Sequence, residues 1–70
     1  MNLSFKNGKA EIKEGKKVIA VIIDRLAFFA GVNAKFQLFN PKYPFALQMN
    51  GGQAEVETLD EALNLFYSEL

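Results

Sequence analysis

The chain has no cysteine and no histidine among its 70 residues. No disulfide can form, and the usual ligands of a structural zinc site are absent. A Ser-His-Asp or Cys-His arrangement cannot be assembled, and the two serines, Ser4 and Ser68, fall near the chain ends. Charge of one sign is not in excess either: eight basic and eight acidic residues leave a net charge of zero. The apolar run 18–31 holds Asp24 and Arg25 at its centre. It is shorter than the roughly 20 residues that span a bilayer, and its charges are costly in lipid. The opening MNLSFKNGK lacks a basic segment leading into an apolar one, so no secretory signal is expected. These absences predict a cytoplasmic chain with no membrane segment, no metal, no cofactor and no catalytic residue.

What is present is a globular composition, 50% hydrophobic and 13% aromatic, in a chain sized for one domain, 1–70. Below roughly 70–80 residues a single core seldom supplies more than about 3–5 kcal/mol, and small folds usually add a staple. With disulfide and zinc gone, oligomerisation is the staple that remains, beside an unusually well-packed core.

Strand and turn signals fill most of the chain. LSFKNGKAEIK reads as a hairpin, with Leu3 and Phe5 alternating before Asn7-Gly8 and Ala10 and Ile12 alternating after it. AKFQLFN alternates again, NPKYP is a turn, and FALQM places Phe45, Leu47 and Met49 on one face. NGG turns the chain into QAEVE, with Ala54 and Val56 inward. TLDEALNLFYSEL is an amphipathic helix. Thr58 is its N-cap, Glu61 stands at the capping-box position, and Leu59, Ala62, Leu63, Phe66 and Leu70 form its stripe. The expected fold class is α+β, an antiparallel meander of about four to six strands with a C-terminal helix packed on one face.

The run VIAVIIDRLAFFAG, 18–31, fits a strand or a helix. Five of the six residues in VIAVII are β-branched, so strand is preferred over helix for 16–30, with the strand proper at 17–23. LAFFA then continues the strand past a bend at Asp24-Arg25 or forms the tail of a helix. Extended to Phe29, the strand would send Val18, Ala20, Ile22, Leu26 and Phe28 one way, and Ile19, Val21, Ile23, Ala27 and Phe29 the other. Both faces are apolar, as in a strand buried on both sides. One helix covers one face. Ile19, Val21, Ile23 and Phe29 are therefore the candidate partner interface, and a two-fold homodimer packing sheet on sheet would cover them.

Function classes follow from the same residues. Glu55, Glu57, Asp60 and Glu61 lie at strand-exterior and helix-cap positions, which explains them without acid–base chemistry. No calcium loop, P-loop or dinucleotide fingerprint is present. Residues 1–35 hold seven basic against three acidic residues, and 36–70 hold one against five. Lys6, Lys9, Lys13, Lys16 and Lys17 cluster on the first hairpin and, with Phe39 and Tyr43 as stacking residues, are the candidate nucleic-acid contact. Solubilising a sheet edge is the commoner use of such lysines. The segment AEVETLDEAL, 54–63, resembles the strand-to-helix step of HicB-type antitoxins, and no residue role is carried over from it. The expected function is that of a small non-enzymatic protein acting through protein–protein contact as a regulator, inhibitor or assembly subunit, of the kind found in a phage or mobile element. The expected partner is a second copy, with a different protein binding the same face as a further option. The alternative is a nucleic-acid-binding module using the basic hairpin.

Overall fold

Six elements follow from those patterns in a computed structural model that describes residues 3–28 and 42–70. In chain order they are β1 (Lys9–Glu14), β2 (Lys17–Asp24), α1 (Arg25–Phe28), β3 (Phe45–Met49), β4 (Gly52–Val56) and α2 (Leu59–Ser68). The four strands form one antiparallel sheet in sequential order, β1-β2-β3-β4, and α2 packs against β3 and β4. This is the α+β meander with a C-terminal helix that the patterning predicts.

Turn chemistry sets the register. Asn7 (φ 55°) with Gly8 (φ 80°), and Asn50 (φ 52°) with Gly51 (φ 76°), supply the paired positive φ values of two-residue hairpin turns. The second turn joins β3 to β4 between Met49 and Gly52. The first closes a single bridge, in which the Lys6 and Lys9 amides each donate to the other's carbonyl at 2.8 and 3.1 Å. The strand expected over Leu3–Phe5 does not form beyond that bridge. Leu3 still packs on the core while Phe5 stays 38% exposed, so a longer ladder would bury little more.

The core lies between the sheet and α2. Ile12, Ala20, Ile22, Leu47, Ala62 and Phe66 form its buried cluster, flanked by Phe45, Met49, Val56, Leu59, Leu63 and Leu65. Leu70, expected on the helix stripe, is 71% exposed because the helix ends at Ser68. The Thr58 hydroxyl accepts from the Glu61 amide at 3.1 Å, which confirms the cap. The Glu61 carboxylate reaches the Glu57 amide at 3.5 Å, one residue earlier than a capping box requires.

The central run resolves into strand and then helix. β2 ends at Asp24, and Arg25–Phe28 is helical. The continuous strand drawn to Phe29 is therefore corrected. The Asp24 carboxylate accepts from the Ala27 amide at 3.4 Å, as a helix N-cap does, and competes with the extended backbone at that point. The corner is pinned on both sides, since the Asp24 amide donates to the Gly8 carbonyl at 2.7 Å and the Arg25 amide to the Pro44 carbonyl at 2.8 Å. Leu26 and Phe28 leave the alternation, and Leu26 is 56% exposed. Phe29 and the strand expected over 34–40 lie outside the described residues.

Two stability tests follow. Thr58→Ala removes the cap and is expected to cost about 1 kcal/mol in urea unfolding, with the slope unchanged. Gly8 carries a positive φ, and a Cβ there would overlap the Phe28 amide nitrogen and Cα. Gly8→Ala is expected to cost about 2–4 kcal/mol in the same assay, because backbone rather than a flexible side chain must move.

Candidate functional site

The sheet has two faces, and α2 covers only one. Alternation from the buried Ala10, Ile12, Ile22 and Leu47 assigns the opposite face by register. One row across that second face is Lys9, Ile23, Ala46 and Glu55, and the next is Glu11, Val21, Gln48 and Gln53.

The first row is closed by the chain itself. Arg25 is only 6% exposed, and its guanidinium donates to the Glu55 carboxylate at 2.8 Å from across the sheet. Ala46, paired between Ile23 and Glu55, is fully buried although it lies outside the core cluster. At the β1 end of the row, the Lys9 ammonium stands 4.9 Å from the centre of the Phe28 ring. The second face thus has cover at this end from within the chain, which the sequence reading did not foresee.

Among the described residues the second row is open. Val21 and Gln48 line two adjoining cavities. One, of about 430 Å³, runs toward Lys6, Asn7, Lys9, Glu11 and Phe28. The other, of about 510 Å³, runs along Val18 to Ala20 and the β3–β4 turn, Asn50-Gly51. It exists because the strands differ in length. β2 has eight residues and β3 has five, and their pairing covers only Val21 to Asp24. Among the described residues, the start of β2 pairs with β1 alone and shows its other backbone edge to this notch. Val18 is 40% exposed there.

Each interface residue expected from the sequence can now be placed. Val21 lines the open row. Ile19 is the extra residue of a bulge, since Ile12 pairs with Ala20 and Lys13 with Val18, and it packs against the core cluster while also lining the notch. Ile23 lies in the closed row, and Phe29 lies outside the described residues. Val18, which alternation alone assigns to the core, is shifted by the bulge to the side of Lys13 and becomes the exposed apolar residue of the site.

The five lysines are spread along the basic edge rather than gathered. Lys6 and Lys9 share one cavity. Lys13 lies 4.0 Å from Glu11. Lys16 and Lys17 stand at the far end of β1, roughly 17 Å away by strand rise. Phe39 is outside the described residues, and Tyr43 is half-buried beside Lys42, whose ammonium is 5.7 Å from its ring centre. Three of the carboxylates have local partners: Glu55 takes Arg25, Glu57 lies 4.0 Å from Lys42, and Glu61 serves the helix start. Among the described residues no group of three or more acidic side chains is placed to hold a metal ion, and no helix is long and apolar enough to cross a membrane.

Compared with known proteins, the chain matches no family model, no curated protein and no solved structure.

The Arg25–Glu55 pair gives a test of the closed row. Glu55 is half exposed, so its loss costs less than the 3–5 kcal/mol of a fully buried pair. Glu55→Ala is expected to cost about 1–2 kcal/mol in urea unfolding, and Glu55→Asp less. No loss on Glu55→Ala would mean that the pair does not hold this end of the sheet.

Proposed function

We propose that this chain is a small non-enzymatic protein that acts through protein–protein contact at the notch beside β2, and that its partner is a second copy. One observation carries the reading: an eight-residue strand lies beside a five-residue one, so among the described residues apolar β2 keeps an unpaired edge next to a cavity. Unpaired strand edges are templates for another strand, with main-chain hydrogen bonds giving affinity and alternate side chains giving specificity. Val18 supplies exposed apolar surface at this edge, while the charged outer edge of β1 is of the kind that discourages pairing. Regulators, inhibitors and assembly subunits all work through such contacts.

The layout of the lysines ranks this reading above nucleic-acid binding. A nucleic-acid backbone is met by a continuous basic groove. Here Glu11 and Glu14 interrupt the basic edge, and Lys16 and Lys17 stand apart from Lys6 and Lys9.

Light scattering after size exclusion, over a wide concentration range, tests the reading. The mass is expected to rise from one chain toward two as concentration rises. Val18→Asp is expected to stay at one chain with an unchanged circular dichroism spectrum, because Val18 is exposed in the single chain. A wild-type chain that stays monomeric at the highest concentration rejects self-association at the notch.

A further inference from the structure

Two Asn-Gly pairs make two of the turns, and the fold holds them differently. We infer that Asn50, before Gly51, is a site of spontaneous covalent modification, where the side-chain amide is lost through a cyclic imide, and that the fold protects Asn7, before Gly8, from the same reaction. This stands apart from the protein-contact reading above.

The chemistry belongs to the dipeptide. Glycine follows asparagine at these two positions of the chain and nowhere else. Having no Cβ, glycine leaves its own amide nitrogen accessible to the preceding side chain. The Gly51 nitrogen gives its proton to hydroxide and attacks Cγ of Asn50. The N–Cγ bond forms, the Cγ–Nδ2 bond breaks, and ammonia leaves with a proton taken back from water. Water then opens the imide. Opening at Cγ gives aspartate. Opening at the main-chain carbonyl of residue 50 gives isoaspartate, in which the main chain runs through Cβ and Cγ. The sum is asparagine plus water going to acid plus ammonia, with nothing oxidised or reduced.

Ring closure requires the Asn-Gly peptide to rotate out of the turn. Each turn must open locally, and what the opening breaks sets the rate. Asn50 (φ 52°) and Gly51 (φ 76°) are both exposed. A Cβ on Gly51 would meet no atom of the described residues within 4 Å. Opening there frays only the last pair of the β3–β4 hairpin, Met49 with Gly52. Asn7 (φ 55°) is exposed as well, but Gly8 is buried. Gly8 lies against the Phe28 backbone with no room for a Cβ. Its carbonyl accepts from the Asp24 amide at 2.7 Å, and Lys6 and Lys9 on either side of the turn bond to each other at 2.8 and 3.1 Å. Gly8 cannot follow the rotation without disturbing the corner where β2 becomes α1.

The product changes the charge and the turn together. Asn50 lines the cavity of about 510 Å³ beside Val18 and another of about 200 Å³ that Glu69 also lines. Aspartate puts a second carboxylate near Glu69. Isoaspartate lengthens the main chain within a two-residue turn that sets the β3–β4 register.

Peptide mapping tests both halves of the inference. The chain is incubated in warm, mildly alkaline buffer, folded in one series and unfolded in guanidinium chloride in the other. Cleavage after lysine releases 43–70 and cleavage after glutamate releases 1–11, and fragmentation in the mass spectrometer locates aspartate and isoaspartate within each. In the folded chain Asn50 is expected to convert about tenfold faster than Asn7, a difference of ~1.4 kcal/mol in opening cost. In guanidinium the two rates are expected to converge, because the fold is what separates them. A ratio no larger in the folded chain than in the unfolded one overturns the protection of Asn7. An Asn50 that stays intact in the folded chain while the unfolded chain reacts overturns the site.

Discussion

The Arg25 guanidinium is taken out of water at the end of an apolar strand, and the rest of the structure is arranged so that this is tolerated. A charge in that position needs a carboxylate, and Glu55 provides one two strands away at 2.8 Å. For the side chain to reach it, the backbone has to leave the strand direction at that residue. Asp24 makes the departure local by accepting the Ala27 amide as a helix N-cap does. The pair of charges that looks out of place inside VIAVIIDRLAFFAG thus acts as the stop of β2 and as the clasp between β2 and β4.

The clasp also decides which part of the second face remains open. Arg25 and Phe28 close the row that contains Ile23 and Ala46, while the row of Val21 and Gln48 lies beyond their reach. The close approach of Phe28 to Gly8 belongs to the same corner, since only a residue without a Cβ fits between the first turn and α1. A hairpin turn, a helix cap and an ion pair are therefore one device, and the open surface is what that device leaves uncovered among the described residues.

Much of this was legible in the residues themselves. Alternation placed Ala10, Ile12, Leu47, Ala54 and Val56, the Asn-Gly pairs placed two turns, and T-x-x-E placed the start of α2, because each signal is local. The end of β2 was harder. β-branched residues argue for strand as far as Ile23, but the residues after it carry no strong preference, and the helix is chosen by Asp24 together with contacts to Gly8 and Pro44. The Arg25–Glu55 partnership joins residues thirty apart, and no spacing rule reveals it. A bulge is equally invisible: Ile19 and Val18 exchange roles because one extra residue shifts the register, which changes the face of every residue beyond it.

That exchange bears directly on the open notch. In an unbroken strand, Val18 would point to the core beside Ala20 and Ile19 would stand opposite Lys13 in its place. The bulge turns Val18 outward and brings Ile19 onto the core cluster, so buried apolar area is kept while an apolar residue is set on an edge that is unpaired among the described residues. Natural sheets usually blunt such edges with charge or proline. Here the charges sit one and two residues away, at Lys17 and Lys16, and leave the centre of the edge apolar. A strand built only to stop pairing would place a lysine at Val18. Valine there instead leaves the middle of the edge apolar with the charge on its flank.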